Sequence, residues 1–599
     1  MLKILSNRKV GVTRAFGRVD GILDACYNPK QMMGRIFQAY CDKNYRAKIL
    51  VSAFCTGLTL QGFCMEGGKN FPLVVNCHPV AAFELLSTNA SLRADVDLFN
   101  RHLRQVAQTE LPIGGDLGRK IVFRLMTPTN LLERYDWRVS FPTTDRMEIE
   151  ATTASAFAAL LWILEEGADA RFLGSEDCMF QFEPRKDVAV VSRNRRSATR
   201  SYNLYRGVYY LKGHARELGV SDGMDQGKFG GFKFSHGIPT YAFPAGKYNR
   251  KGWPEAIMPV LKDGNKLKRP GPNPFVGWQP CYSSPETARI AAENILDYLQ
   301  DHPEAKSISL GVNDVNGYCE CSACKAMDET SERSIFFFDR ISKSRSYYTF
   351  VNRVAEAVGK VRPDVRIGVL AYIGTIMPPD FPLARNVVPM LTFDVYAAAP
   401  DPQVLAAQER VIRRWGSLVD EIGTWAYGWG WPFVMPRVNA AAEAQRIKFL
   451  YEHGGRAYFA ERSRSDALDG PKTYLEAKLL ADVDADPNAL LDEWYSRYAG
   501  KAAEGTLRKL YGLCEEYWQS PRMKQSWFWQ ERGVIYVQPT SDRQYNHLTA
   551  LTPGFTRRLL ALANEVYAKA RTPGEKRRAE LLVRNFERLD CRAMFYGSA

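Results

Sequence analysis

Between residues 200 and 465 short apolar runs recur, each followed by a loop and an amphipathic stretch. They read YNLYRGVYY near 202–210, GFKFSHG near 231–237, FVGWQPC near 275–281 and SISLGVND at 307–314. They continue with RIGVLAYIG at 366–374, VVPMLTFD at 387–394, EIGTWAYGWG at 421–430 and GGRAYFAER at 454–462. Helical stretches such as SPETARIAAENILDYLQD and YYTFVNRVAEAVGKV fall between several of them. Eight strands with helical crossovers are what a (β/α)₈ barrel requires. The pattern therefore predicts an α/β fold with a TIM-like barrel over residues 200–465.

The flanks read differently. From residue 71, FPLVVN, KIVFRL at 120–125 and DWRVSF at 136–141 alternate with helical stretches, including ATTASAFAALLWILEEG, before ARFLG. This predicts a small α/β accessory domain over 71–190. Beyond 470 the apolar period is helical, as in TYLEAKLLADV, PNALLDEWYSRYAG and RRAELLVRNFERL. An α-helical C-terminal domain over 470–599 is expected, punctuated by Asp486-Pro487 and Gly500.

Residues 1–70 read as an N-terminal extension. Within it, 43–64 run from a basic stretch (Lys43, Arg46, Lys48) through ILVSAFCTGLTLQGFC. That is a signal-peptide pattern in everything but position, too short and interrupted to be a stable membrane span. Used from a downstream start, it predicts a secreted or periplasmic protein. The other reading is a buried strand or helix of the first domain in a cytoplasmic protein.

In a barrel of this type, side chains at the carboxyl ends of the strands line the active site. Three strands end in a carboxylate: Asp314 after Asn313, Asp394, and Glu461. Cleaving a glycosidic bond needs one group to protonate the leaving oxygen and another to attack or stabilise the anomeric carbon, or to activate water. Asp314 and Glu461 are the leading pair and Asp394 is third. Any one of them would serve equally as an ion-pair partner or a helix N-cap. His236, Tyr205 and Arg206 on other strands, and Asn313 beside Asp314, are candidates to bind substrate. Trp425, Tyr427, Trp429 and Trp431 recur at every second position, running into a Gly-rich loop, where such rings can stack on sugar faces.

Cys319, Cys321 and Cys324 form a C-x-C-x-x-C run after the fourth strand, and Cys281 ends the third. Thiolates this close suit zinc or an iron–sulfur cluster, and an exported chain could form a disulfide from two of them. A structural role in shaping the loop is expected, and no catalytic metal. The other cysteines of the twelve are mostly far apart, and a chain this long needs no disulfide scaffold. Phosphate-binding and dinucleotide glycine loops are missing from the sequence. Kinase and dehydrogenase readings drop out, and no cofactor is expected. The net charge of +14 is spread along the chain, and its densest run (Arg193, Arg195, Arg196, Arg200) has no interleaved aromatics. That fits a solvated linker better than nucleic-acid binding, so the expected partner is a glycan.

LGVNDVNGYCECSACKAMD at 310–328 resembles the signature of domain of unknown function 4838. Trp425–Tyr427, AYFAE reaching Glu461, and YLEAKLLADVDADPNALLDEWYSRYAG at 474–500 support it in order and spacing. The resemblance spans about residues 200 to 520 and extends to glycoside hydrolase family 163, endo-β-N-acetylglucosaminidases acting on complex N-glycans. It implies a barrel, export and glycan hydrolysis, with Asp314 and Glu461 as the two carboxylates. The preceding α/β segment looks like the accessory domain of α-glucuronidases and β-hexosaminidases. One departure is Trp253-Pro254-Glu255, where the family pattern has His-Pro-Glu. An α-glucuronidase-like hydrolase, using Arg206 on a uronate, and a non-catalytic glycan-binding protein are the alternatives.

Overall fold

The computed structural model describes residues 70–596 apart from 210–213, 223–230, 315, 335, 337–338, 394–400, 429–433, 463–464, 526–547 and 549. The signal-like segment 43–64 lies outside the described residues.

The first α/β layer rests on a five-stranded sheet. In spatial order its strands are Arg195–Arg196, Trp137–Thr143, Arg146–Ala151, Lys120–Leu125 and Ala82–Leu85. KIVFRL buries Ile121, Val122 and Phe123 in a row, as a central strand covered on both faces does. Helix Ala90–Ala107 starts on Asn89, whose side chain accepts from the Ser91 and Leu92 backbone N–H groups. It buries Leu92, Val96, Phe99, Leu103 and Val106 at helical spacing. Each side chain buried this fully contributes about 1.5–3 kcal/mol. The strand Val188–Val191 returns to pair antiparallel with Asn70–Val75, tying the two ends of this layer together.

The central sheet is parallel throughout. Its strands run, in spatial order, Ser221–Asp222, Tyr205–Tyr209, Gly455–Glu461, Ile422–Tyr427, Val387–Phe393, Arg366–Ala371 and Ser307–Ser309. Val387–Phe393 is buried at every position, because helices cover its outer face and side chains fill the concave one. Helices Pro285–Asp301, Ser344–Val361, Pro402–Gly416 and Ala440–Glu452 supply crossovers. Two of them begin in the same way: an Asp or Ser cap (Ser284, Asp401) followed by Pro at the first helical position, where its missing N–H costs nothing.

Here the structure corrects the expectation of eight strands. Among the described residues the sheet has seven strands and curls into a half-barrel without closing. Two of the runs read as strands make no ladder. Segment 275–281 pairs with its neighbour through a single isolated β-bridge, Val276 to Asp314. Pro274 and Pro280 lack the donors a ladder needs, and Gly277 turns at φ +82°. Segment 231–237 lies along the edge of Ser307–Ser309 and is held mainly by side chains. The Lys233 N–H donates to Ser307 Oγ, and the Ser309 hydroxyl donates to the Ser235 carbonyl. Its one main-chain bridge is His236 to Gly311.

After the last sheet strand the chain is helical: Pro471–Ala481, Pro487–Tyr498, Glu504–Gln519, Pro521–Gln525, Pro553–Lys569 and Pro573–Tyr596. Asp486 and Thr552 cap two of these through their side chains. No helix among the described residues is long and apolar enough to cross a membrane.

Candidate active site

Strand periodicity decides which residues can meet at the open end of the sheet. On Gly455–Glu461, Phe459 packs against Trp425 and Phe234 on the concave side, with ring centroids 4.4 and 5.6 Å away. Tyr458 points the other way, to Glu443 on a covering helix. Glu461 shares the parity of Phe459 and so faces inward at the carboxyl edge. Trp425 and Tyr427 share that face on the next strand, and Tyr427 sits in register with Glu461. The Trp425 indole N–H donates to Glu461 Oε1 across 2.9 Å.

A second pair repeats the arrangement. Gly368, Leu370 and Tyr372 alternate toward the concave side, where Gly368 lies against the Lys233 carbonyl and Leu370 against Gly311. Tyr372 stands just past its strand's end and donates its hydroxyl to Asp314 Oδ1 across 3.2 Å. The next residue, Ile373, has φ +50°, a left-handed conformation that a β-branched residue adopts only under strain. Strain of this kind collects at functional sites. His236 completes this side. Its ring lies 6.0 Å from that of Tyr372, and its Nδ1 bonds to the Val312 carbonyl. A carbonyl only accepts, so Nδ1 carries the proton and Nε2 is left as the acceptor of the neutral ring. Asp314, Glu461, His236 and Trp425 are all partly exposed.

Beneath Glu461 lies a group of buried charges that the sequence did not reveal. Arg462 is fully buried, with Nε 2.8 Å from Glu476 Oε2 and Nη2 3.0 Å from the Tyr458 hydroxyl. Glu443, also buried, stands 3.8 Å from the same guanidinium. Arg462 Nη1 donates to the Glu461 carbonyl at 3.2 Å, fixing the backbone that carries the carboxylate. Gly428 is required here, since a Cβ would run into that guanidinium. Lys472 donates to the carbonyls of Gly428 and Arg437 at 2.8 and 2.9 Å and forms an ion pair with Asp469 at 2.9 Å. Burial lowers its ammonium to about 8.

Three residues read as substrate contacts are elsewhere. Arg206 has the parity opposite to Tyr205, so it leaves the concave side. It is buried under the Tyr135 ring, 4.5 Å from its centroid, with Nε on the Tyr202 carbonyl. Burial lowers its guanidinium to about 10. Tyr205 does face inward but packs on Phe234 with only 1 % exposure, as filler below the mouth. Asn313 is fully buried and holds the neighbouring loop, its Nδ2 donating to the Trp278 carbonyl at 2.9 Å. Asp394, Trp429 and Trp431 lie outside the described residues. Tyr372 was missed because it follows its strand as a lone aromatic. The signal was there in the alternation that continues from Leu370.

Three other features hold neither Asp314 nor Glu461. A cavity of about 760 Å³ opens between the first α/β layer and the outer side of the Tyr205–Tyr209 strand, lined among others by Arg134, Trp137, Trp162, Arg206 and Lys478. It is remote from the carboxyl edge and holds neither Asp314 nor Glu461. His102 and His214 both bond Glu217, at 3.3 and 2.7 Å. Burial alone would raise that carboxyl, and the two imidazole hydrogen bonds overcome it, holding it at about 2. Cys281, Cys319, Cys321 and Cys324 bring their sulfurs together beside the Asp314 loop.

Residues 180–511 match the family described as Domain of unknown function (DUF4838). The chain belongs to the DUF4838 family. No curated protein matches it. Among solved structures, it is similar to a family GH115 4-O-methyl-α-glucuronidase with specificity for decorated arabinogalactans: 12 % identity, TM-score 0.53, covering 87 % of this chain and 73 % of that one. A GH138 enzyme targeting pectin rhamnogalacturonan II aligns at 9 % identity and TM-score 0.38 over 86 % and 69 % of the two chains. A chitobiase from Flavobacterium johnsoniae aligns at 11 % and 0.41 over 88 % and 92 %. Scores this low leave the first alone to support a shared fold.

Proposed function

We propose that this DUF4838 protein is a glycoside hydrolase that uses Asp314 and Glu461. The observation that carries the proposal is the repeated pairing at the carboxyl edge of the parallel sheet. Asp314 is oriented by Tyr372, and Glu461 by Trp425. Each carboxylate gives one oxygen to an aromatic donor and is partly exposed. One carboxyl donates a proton to the glycosidic oxygen. The other attacks or stabilises the anomeric carbon, activates water, or orients an N-acetyl group of the substrate as internal nucleophile. Trp425 offers partly exposed aromatic surface beside the pair for a sugar ring, while Tyr427 is buried. His236, with Nε2 free to accept, can take a hydroxyl hydrogen from the sugar.

The finer reading is an endo-β-N-acetylglucosaminidase-like action on a complex N-glycan, which rests on the motif around Asp314. The uronate alternative rested on the basic charge and on Arg206 at the mouth, and the burial of Arg206 under Tyr135 removes the second of these supports. Export through segment 43–64 and the division at 71–190, 200–465 and 470–599 belong to the same proposal. N-terminal sequencing of the protein from culture medium or periplasm tests the export.

The test of activity is product release from a panel of purified glycans and glycoproteins, with wild type beside Asp314→Asn. Release that collapses in the variant supports the hydrolase and names its substrate class. Release that survives sinks the role of Asp314. Glycan-array binding without release from any substrate makes the protein a glycan-binding module instead.

A further inference from the structure

The stretch that fails to make a third sheet strand is held by something else. Cys281, Cys319, Cys321 and Cys324 come from two loops, and their four sulfurs lie within 4.8 Å of one another. Cys281 Sγ stands 3.8 Å from Cys321 Sγ and 4.0 Å from Cys324 Sγ. Zinc–thiolate bonds of about 2.3 Å set the edge of a ZnS₄ tetrahedron at about 3.8 Å. A disulfide needs sulfurs about 2.05 Å apart. A four-iron cluster places each thiolate on a different iron and spreads them farther than one metal does.

The surroundings suit four thiolates. The Val260 N–H donates to Cys319 Sγ at 3.3 Å, and the Cys324 N–H to Cys321 Sγ at 3.4 Å. The Ser283 hydroxyl oxygen lies 3.1, 3.6 and 3.7 Å from the sulfurs of Cys324, Cys281 and Cys321. Such donors spread the net charge of −2 that one zinc and four thiolates carry. Cys319 and Cys324 are 3 % and 2 % exposed.

We propose that these four cysteines bind one zinc ion as a closed structural site that clasps the loop carrying Asp314. With four protein ligands no coordination position is open for water or substrate, so the ion does no chemistry. Its effect is mechanical. The loops it joins meet through few main-chain bonds: Asp314 N–H to the Phe275 carbonyl at 2.8 Å, Gly277 N–H to the Asp314 carbonyl at 3.1 Å, and Gln279 N–H to the Gly317 carbonyl at 2.9 Å. Glu320 N–H on the Val260 carbonyl and Cys281 N–H on the Ile257 carbonyl draw in a third segment. A metal crosslink supplies here the rigidity that a ladder supplies to the other strands.

The test is elemental analysis of the purified wild-type protein, grown with both zinc and iron present. One zinc per chain, released stoichiometrically on titration with an organomercurial and lost in Cys281→Ser and Cys324→Ser, is the expected result. Cobalt exchanged into the site should show thiolate-to-cobalt charge transfer and the intense visible bands of a tetrahedral site. Iron in place of zinc, with ferric tetrathiolate colour, overturns the choice of metal. Metal-free protein, with the four cysteines found as free thiols or as disulfides after denaturing alkylation, overturns the site. Should the variants fail to fold, the wild-type metal content and the cobalt spectrum decide the question unaided.

Discussion

Trp425 donates its indole N–H to Glu461 across 2.9 Å, joining neighbouring strands where the parallel sheet ends. The indole ring is held from below by Phe459 and Phe234, so the donor is aimed before any substrate arrives. Trp425→Phe keeps much of that packing and deletes the hydrogen bond. A bond to a charged partner is worth about 1.5–3 kcal/mol. We expect kcat to fall roughly tenfold to a hundredfold with the melting temperature little changed. Steady-state kinetics beside a thermal melt check this, and an unchanged kcat would mean that the contact does not orient a working carboxylate.

Tyr372→Phe tests the second pair in the same way. It removes the hydroxyl on Asp314 and leaves the ring beside His236. The expected loss in kcat is about tenfold, well short of that in Asp314→Asn, since the carboxylate survives with its aim loosened. Equal losses in the two variants would make Tyr372 itself a reacting group.

Arg462 pairs with two carboxylates that have no exposure of their own. Replacing it by Met leaves Glu443 and Glu476 buried without their cation. Breaking a buried pair in this way costs about 3–5 kcal/mol. Urea denaturation of Arg462→Met should show that loss, and Arg462→Lys should recover only part of it because one ammonium cannot reproduce the fork. A variant as stable as wild type would show that the network contributes nothing net.

Asp466 gives a pH dependence with a definite sign. Its carboxylate accepts from the Ser175 and Glu176 N–H groups at 2.8 and 2.7 Å, yet burial raises it to about 7. An acid raised on folding favours the protonated native state. Its contribution is fully present below the unfolded value near 4 and is lost as pH rises through about 7, at most roughly 4 kcal/mol in all. Asp466→Asn should therefore flatten the fall in unfolding free energy between about pH 4 and pH 7. Denaturation curves at a series of pH values measure it, and identical slopes for variant and wild type would contradict it.

Much of the sheet was legible in the sequence because its strands are buried on both faces. VVPMLTF reads as an unbroken apolar run and is buried throughout. Segments 231–237 and 275–281 carried the same apolar signal without the pairing. Apolarity reports burial, and only Pro274 before the segment and Pro280 within it hinted that 275–281 forms no ladder. The position of a residue at a strand end proved weaker evidence than its parity. Tyr205 and Arg206 stand side by side on one strand, yet the pleat sends one into the half-barrel and the other under Tyr135. The Arg462–Glu476 contact was beyond sequence reading, because neither residue's neighbours signal that a strand end and a later helix will meet. Cys281 could be named beside Cys319, Cys321 and Cys324 only because thiols are rare enough in this stretch to be matched by eye.

The central claim is that Asp314 and Glu461 act on one bond. The most direct measurement is kcat for Asp314→Asn, Glu461→Gln and the double variant on the substrate the panel identifies. Each single variant should lose about 10²–10⁴-fold. The double variant should fall little further than the worse single, as groups that act as a unit do. A single variant that keeps wild-type activity, or losses that multiply in the double, would contradict the account.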